Sequence, residues 1–304
     1  MDVRFKCHHC GVSIETEEEF SGTTAPCPGC EAELEIPEPG LQPGAIVGTF
    51  QVESMLGAGA MGQVFKATQM SMDRPVALKV LIPELVKNEA FINRFHQEVR
   101  LLARMDHPNI VRAYEAGQDG DYHFLAITFV NGRSLDSVIK EDGCLDEART
   151  LEVLLNMARA LDYAWKNGQI LHRDIKPANI MISAEGEILL MDLGISKSAS
   201  QKSNMTQVGQ VIGTPWYMSP EQAMGKPADF RSDLYALGCI LYQLLSGQLP
   251  FDAEQPMAVL LKQLREPAPP LPEVLCDGEA PSDSLRHLYM SLMAKKPSPF
   301  PPMI

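Results

Sequence analysis

Two sets of residues in the 304-residue chain have types and spacings that carry chemistry. The first is sulfur. Cys7-His-His-Cys10 and Cys27-Pro-Gly-Cys30 are Cys-x2-Cys pairs separated by sixteen residues. A tetrahedral Zn²⁺ needs four thiolates converging from two tight turns, and this spacing supplies them. Gly11 and Gly29 help those turns, and four cysteines fill the shell without His8 or His9. Two disulfides or free thiols are the competing reading. The remaining cysteines, Cys144, Cys239 and Cys276, are scattered, and an odd total of seven argues against a disulfide framework.

The second set is built of oxygen and ammonium groups. Gly57-Ala-Gly59-Ala-Met-Gly62 lies between two strand-like stretches, so its backbone N–H groups can approach an anion closely. It precedes a strand rather than a helix, which argues against a dinucleotide fold. Lys79 sits in the apolar run Val76–Val80, and Glu98 falls in register with Phe91, Phe95, Leu102 and Met105 on a helix. A charge on each of two buried faces is costly unless the charges meet, so a Lys79–Glu98 ion pair is expected. Leu171-His-Arg-Asp-Ile-Lys-Pro-Ala-Asn179 is followed by apolar stretches 180–182 and 188–191 around Ser183-Ala-Glu-Gly186. That hairpin brings Asn179 and Asp192 together as hard oxygen ligands suited to Mg²⁺. Asp174 is left to orient a hydroxyl and accept its proton, and Lys176 to neutralise charge on a moving phosphoryl group.

The elements that must hold these groups change character along the chain. Residues 1–36 read as a cysteine-paired module and 37–45 as a Pro/Gly-rich linker. Strands are expected at 50–55, 62–67, 76–81, 111–114 and 124–129, with a helix over 89–105 between the third and fourth. From Ser134 the helical period dominates, in 151–165 and 233–245. Strands first and helices later imply a β-rich lobe stacked on an α-rich one, joined near residues 130–132.

From about Phe50 to Lys296 the chain resembles the eukaryotic-like (Hanks-type) serine/threonine protein kinases of bacteria: glycine loop, lysine strand, His-Arg-Asp loop and Asp192-Leu-Gly194 stand in the family's order. The resemblance implies an α+β, bilobal kinase fold preceded by a small zinc ribbon. The expected parts are a ribbon over 1–36, a linker over 37–45, an N-lobe over 46–130 and a C-lobe over 131–304. It implies transfer of the ATP γ-phosphoryl group to protein Ser/Thr hydroxyls, with Mg²⁺ or Mn²⁺ as cofactor and structural Zn²⁺ in the ribbon.

By the same resemblance, Leu56 and Gly57, Gly59 and Gly62 cover the phosphates, and Lys79 contacts them under the control of Glu98. Asp174 is the base, with Lys176 beside it; Asn179 and Asp192 hold the metal. Val64, Ala77 and Met181 sandwich adenine, the backbone of Thr128 and Val130 reads its edge, and Ile127 is the gatekeeper. Thr214, in Gly213-Thr-Pro, is expected near Asp174. Asp233 is expected to hold the catalytic loop's backbone. Arg173 is expected as an unpaired cation on which a phosphate of the activation loop docks. Thr206 and Ser203 are the favoured sites among Ser196, Ser198, Ser200, Ser203 and Thr206, and trans-autophosphorylation implies a homodimer.

Composition sets the exclusions. A net charge of −13 argues against nucleic acid as a partner. The ribbon itself holds eight acidic residues against Arg4 and Lys6, which favours an unidentified protein partner. The longest apolar stretch, 234–245, is too short and mixed to span a bilayer, and no export signal is visible, so cytoplasm is expected. The end of the chain departs from the family. An Arg normally follows Lys-x-Pro and pairs with the glutamate matching Glu221, whereas here Ser-Pro-Phe-Pro-Pro-Met-Ile closes the chain. An unpaired buried carboxylate costs roughly 3–5 kcal/mol unless Arg286 or a nearby Lys substitutes. The end therefore reads as truncated or frameshifted, and a kinase-fold scaffold with impaired catalysis is the alternative.

Overall fold

A computed structural model describes residues 2–7, 9–36, 40–59, 62–81, 86, 88–192 and 214–295; the side chains of 2–4, 6, 18, 89, 90, 94, 97 and 98 lie outside that description. The chain divides into two compact units, Met1–Val99 with Ala113–Phe129, and Arg100–Arg112 with Val130–Ile304.

The first unit opens with two short antiparallel ribbons. Strand β1 (Asp2–Lys6) pairs with β2 (Ser13–Glu17), and β3 (Thr24–Pro26) with β4 (Glu33–Glu35). Their shared apolar content is small: Cys7, Cys27 and Leu34, with Phe5 and Ile14 packed against them. The larger sheet runs β5 (Ile46–Val47), β6 (Phe50–Gly59), β7 (Gly62–Gln69), β8 (Arg74–Leu81), β10 (Tyr122–Thr128) and β9 (Ala113–Asp119), in that spatial order. One face forms a core of Phe50, Val52, Phe65, Leu78, Val80 and Phe124. Strand period 2 sends alternate residues to the other face, where Val64, Lys79 and Leu125 stand in direct register across three strands. Helix α1 (Glu89–Leu102) buries Phe91, Phe95, Val99 and Leu102 at helical spacing, as the periodicity predicts.

Strand β9 begins two residues later than expected and runs five further. Its exposed, polar end at Gln118 and Asp119 has no apolar alternation to betray it. Val111, predicted in that strand, instead donates its N–H to the carbonyl of Leu190 at 3.1 Å.

The second unit is helical around a three-stranded sheet of β11 (Gly132–Ser134), β12 (Ile180–Ser183) and β13 (Ile188–Leu190). Its helices are α2 (Leu135–Asp142), α3 (Glu147–Gly168), α4 (Pro220–Ala223), α5 (Phe230–Ser246), α6 (Pro256–Arg265) and α7 (Asp283–Leu292). Asp146, Asp229 and Ser282 cap α3, α5 and α7 with side-chain oxygens that accept N–H bonds from the first turn. Helix α5 is buried nearly all round, which explains its high apolar content. No helix among the described residues is long and apolar enough to cross a membrane.

Candidate active site and sulfur cluster

Residues 171–192 form the chemistry-bearing stretch of the second unit. Its backbone is pinned from beneath by Asp233, which is 4% exposed on the first turn of α5. The Asp233 carboxylate accepts the N–H groups of His172 (2.9 Å) and Arg173 (2.8 Å). Burial pushes its acidity down, raising its pKa, while the two N–H donors pull the other way. His172, 1% exposed, adds a second brace. Its Nδ1 lies 3.3 Å from the Asp174 N–H and its Nε2 2.8 Å from the carbonyl of Met191. Those partners assign the neutral tautomer protonated at Nε2. Arg173 (φ 62°) and Asp192 (φ 53°) both adopt left-handed backbone, a conformation that non-glycine residues rarely take.

On this frame the reactive groups converge. Asp174 Oδ2 lies 2.9 Å from Lys176 Nζ, which also reaches Thr214 Oγ1 at 3.3 Å. Asn179 Nδ2 donates to the Asp174 carbonyl at 2.9 Å and approaches its Oδ2 at 3.5 Å. A short 3₁₀ turn, 177–179, leads into β12, whose Ile180 pairs with Leu190 of β13. The Met191 N–H then closes onto the Asn179 carbonyl at 2.9 Å, so Asn179 and Asp192 become neighbours as the hairpin reading requires. An aspartate, a lysine, a threonine hydroxyl and an asparagine are thereby linked by direct contacts, with Asp192 next to the residue tied to the Asn179 carbonyl. Arg173 is engaged by neighbours and its carbonyl accepts from Gln222 Nε2 at 3.1 Å, so the reading of it as an unpaired cation does not hold.

In the first unit, the sheet face that carries Val64, Ala77, Lys79 and Ile127 is continuous by register, with Lys79 itself half-buried. Leu56 is half exposed. Thr128 Oγ1 lies 3.2 Å from Tyr114 Oη, leaving its main chain to other partners. The three loop glycines are not equivalent. A Cβ on Gly57 or Gly59 meets nothing within 4 Å, whereas one on Gly62 would fall 1.9 Å from the Val80 carbonyl oxygen. Only Gly62 is required by close approach of a neighbouring strand. Glu98 lies on α1, but its side chain is outside the described residues, as are Ser196, Ser198, Ser200, Ser203 and Thr206. Val130 and Met181 are half-buried in the second unit, Met181 on β12.

The sulfur cluster is compact. The Sγ atoms of Cys7, Cys10, Cys27 and Cys30 all lie within 4.8 Å of one another, with Cys7–Cys30 at 3.7 Å and Cys10–Cys27 at 3.6 Å. A zinc tetrahedron with Zn–S bonds near 2.3 Å has edges of about 3.8 Å, so the donor set fits that ion. Backbone N–H groups of His9 and Gly29 donate to Cys7 and Cys27, both at 3.3 Å. Burial raises the Cys7 thiol, but N–H donors and neighbouring thiols bring it down to about 6. At Cys30 the Ala32 N–H lowers the value, and burial with three adjacent thiols overrides it and pushes it up to about 12. Four thiolates this close repel unless a cation sits among them.

Residues 50–299 match the family model described as protein kinase domain. The chain belongs to that family. Curated relatives of the kinase domain include a probable serine/threonine-protein kinase of Clostridium acetobutylicum, 37% identical over 248 residues, covering 82% of this chain and 37% of the relative. Serine/threonine-protein kinase PknB of Mycobacterium leprae is 36% identical over 253 residues, covering 82% of this chain and 40% of that protein. The chain thus spans about two-fifths of the length of the curated relatives it matches. Among solved structures, the Mycobacterium tuberculosis PknI kinase domain superposes with a TM-score of 0.63 at 27% identity, covering 85% of this chain and 93% of that one. The kinase fold, a β-rich N-lobe and a helical C-lobe preceded by the cysteine cluster, is the one the sequence implies.

The partner of Glu221 escaped the sequence reading. Glu221, expected to lack its usual arginine, is only half-buried, and its Oε1 accepts the Ser232 hydroxyl. Arg231 lies near enough to feel its charge. Arg286 and Lys295 do not take the arginine's place: the first donates to the Pro281 carbonyl at 3.3 Å, the second to Tyr235 Oη and the Gln263 carbonyl, both at 2.8 Å. Residues 296–304 lie outside the described residues.

Proposed function

We propose that the chain is a serine/threonine protein kinase that transfers the ATP γ-phosphoryl group to protein Ser or Thr hydroxyls. The observation that carries this reading is the Asp174–Lys176–Thr214 arrangement, with Asn179 and Asp192 brought alongside by the β12–β13 hairpin. In it, Asp174 orients the acceptor hydroxyl and takes its proton, and Lys176 offsets charge on the transferring group. Asn179 and Asp192 would hold Mg²⁺ or Mn²⁺, which supplies charge neutralisation at the phosphates. Lys79, governed by Glu98, grips the α and β phosphates beneath the Leu56–Gly62 loop. The family resemblance assigns Val64, Ala77 and Met181 to the adenine ring, and the Thr128 and Val130 backbone to its edge. The names of the curated relatives support the Ser/Thr class.

In this reading residues 1–36 are a zinc ribbon on Cys7, Cys10, Cys27 and Cys30, residues 37–45 a linker and residues 46–304 the catalytic domain. The ribbon's acidity favours a protein partner over nucleic acid. Activation-loop autophosphorylation falls on Thr206, with Ser203 next, and is supported by the position of Thr206 ahead of Gly213-Thr-Pro. The hydroxyl of Ser232 on Glu221 gives that carboxylate a partner, which supports the active kinase over an impaired scaffold. The deciding test is transfer from radiolabelled ATP to a generic basic protein, comparing the natural chain with Asp174→Asn. Equal transfer by the two overturns the proposal, and a phosphosite map of the same reaction reads out Thr206.

A further inference from the structure

One fully buried amide that the proposed chemistry leaves unused ties α6 to the segment beside the site. Helix α6 buries Val259, Leu260 and Gln263, and Gln263 is 0% exposed. A primary amide in an apolar interior costs stability unless its polar atoms are engaged. Gln263 Nε2 donates to the Trp216 carbonyl at 2.8 Å and approaches the Pro215 carbonyl at 3.5 Å. Its Oε1 accepts the Tyr235 hydroxyl of α5 at 2.5 Å. Tyr235 Oη in turn accepts from Lys295 Nζ at 2.8 Å, and the same ammonium donates to the Gln263 carbonyl at 2.8 Å.

Chemistry fixes the direction of each bond. An ammonium only donates and a backbone carbonyl only accepts, so the Tyr235 proton points at Gln263 Oε1 and the amide nitrogen at Trp216. Burial raises the Tyr235 pKa, so the phenol keeps that proton. Bonds that all run one way polarise one another, which strengthens the last donor. The turn they reach, Pro215–Tyr217, is weakly held by its own backbone. Its bonds from the Tyr217 N–H to the Thr214 carbonyl and from the Met218 N–H to the Pro215 carbonyl are 3.4 and 3.3 Å long. The Gln263 bond to Trp216 is shorter than either. Tyr217 Oη on Gln243 (2.6 Å) and Trp216 Nε1 on Asp252 (2.8 Å) anchor the turn's side chains, whereas Gln263 holds its main chain. Directly ahead of the turn stands Thr214, whose Oγ1 is 3.3 Å from Lys176 Nζ, itself 2.9 Å from Asp174 Oδ2.

We propose that Gln263 is a positioning residue for transfer to the protein acceptor: by holding the 215–216 backbone it keeps Thr214 at Lys176, with Tyr235 and Lys295 orienting its amide. This role rests on the kinase reading of Asp174, Lys176 and Thr214. Gln263 acts through the turn and touches neither acceptor nor nucleotide. Val64, Ala77 and Lys79, the first-unit groups assigned to ATP, lie on β7 and β8. Loss of the relay therefore acts on the acceptor, and the kinetic parameters of acceptor and nucleotide part.

The test compares the purified 304-residue chain with two variants. Gln263→Met keeps the side chain's length and removes the amide; Tyr235→Phe removes only the hydroxyl that orients it. Initial rates with ATP and a generic basic protein are read as kcat and as KM for each substrate. Urea unfolding at the assay temperature gives the folded fraction. Gln263→Met is expected to lower kcat roughly 10- to 100-fold and to raise KM for the acceptor, with KM for ATP unchanged. Tyr235→Phe is expected to move the same parameters in the same direction by less. Natural kcat in Gln263→Met, a KM for ATP that rises as much as the acceptor's, or a rate loss fully matched by lost folded fraction would each overturn the proposal. Should Gln263→Met not fold, Tyr235→Phe decides alone, and natural kinetics in it overturn the role. A natural chain that transfers nothing overturns the kinase reading itself, whereas an active natural chain with an equally active Gln263→Met overturns this role alone.

Discussion

The ribbon and the catalytic loop solve the positioning problem in opposite ways. In residues 1–36 the groups that could bind something are themselves the interior: Cys7 and Cys27 are 2% and 1% exposed, and among the described residues Leu34 is the only other buried member of their cluster. In residues 171–192 the reactive side chains other than buried Asn179 lie at the margin of an interior built by other residues, and Asp233 and His172 link the two. A module too small to bury a core makes its ligands do the folding, whereas a large helical lobe spares a few residues for chemistry and assigns others to hold them.

The largest effect expected from this contrast is on zinc removal. Chelation should withdraw a stabilisation on the order of 10 kcal/mol from the ribbon. Amide exchange should then become fast throughout β1–β4 while β6–β10 and the helices keep their protection; a joint collapse would break the contrast. Next is Asp174→Asn, expected to lower phosphotransfer roughly 100- to 10,000-fold with an unchanged urea midpoint, since Asp174 rests on the frame rather than forming it. Asp233→Ala should do both kinds of damage. Two buried N–H groups lose a charged acceptor, costing about 3 kcal/mol in urea unfolding, and transfer falls with them. Activity lost with full stability, or the reverse, would separate roles that the structure joins.

The smallest effect concerns Lys295, whose ammonium packs 4.1 Å from the Phe251 ring centroid. Burial brings its pKa down to about 8 from an ordinary 10.5. The unfolded chain therefore takes up this proton first as pH falls from 10.5 to 8, so a penalty on the folded state builds through that window and is complete below it. Relative to Lys295→Met, the natural chain should gain on the order of 1 kcal/mol between pH 7 and 10, after allowing for solvent screening. A pH-independent difference between the two proteins would contradict the shift.

Much of this was legible in residue order because the signals are local. Cys-x2-Cys knuckles, the His-Arg-Asp loop and the hairpin from Asn179 to Asp192 each span a few residues, and backbone geometry alone carries them to the right place. What stayed hidden depends on packing between distant segments. Ser232 gives no sign in sequence that its hydroxyl will meet Glu221, and nothing in residue order pairs Glu147 with Ser282. The glycines of the 57–62 loop look alike on paper; only the Val80 carbonyl tells Gly62 apart. Strand β9 outruns its expected end because that end is polar, and a solvated strand edge has no period to read.

The left-handed backbone at Arg173 and Asp192 has one further consequence. Each residue sits uphill of its relaxed conformation by about 1–2 kcal/mol, so the segment between them is a bent spring rather than a resting chain. Helix α5 holds one end of that spring through Asp233, and the Met191 carbonyl, through His172, holds the other. Loosening either grip would let both residues fall back together, so Asp174, next to Arg173, and Asp192 should leave their positions as a single event.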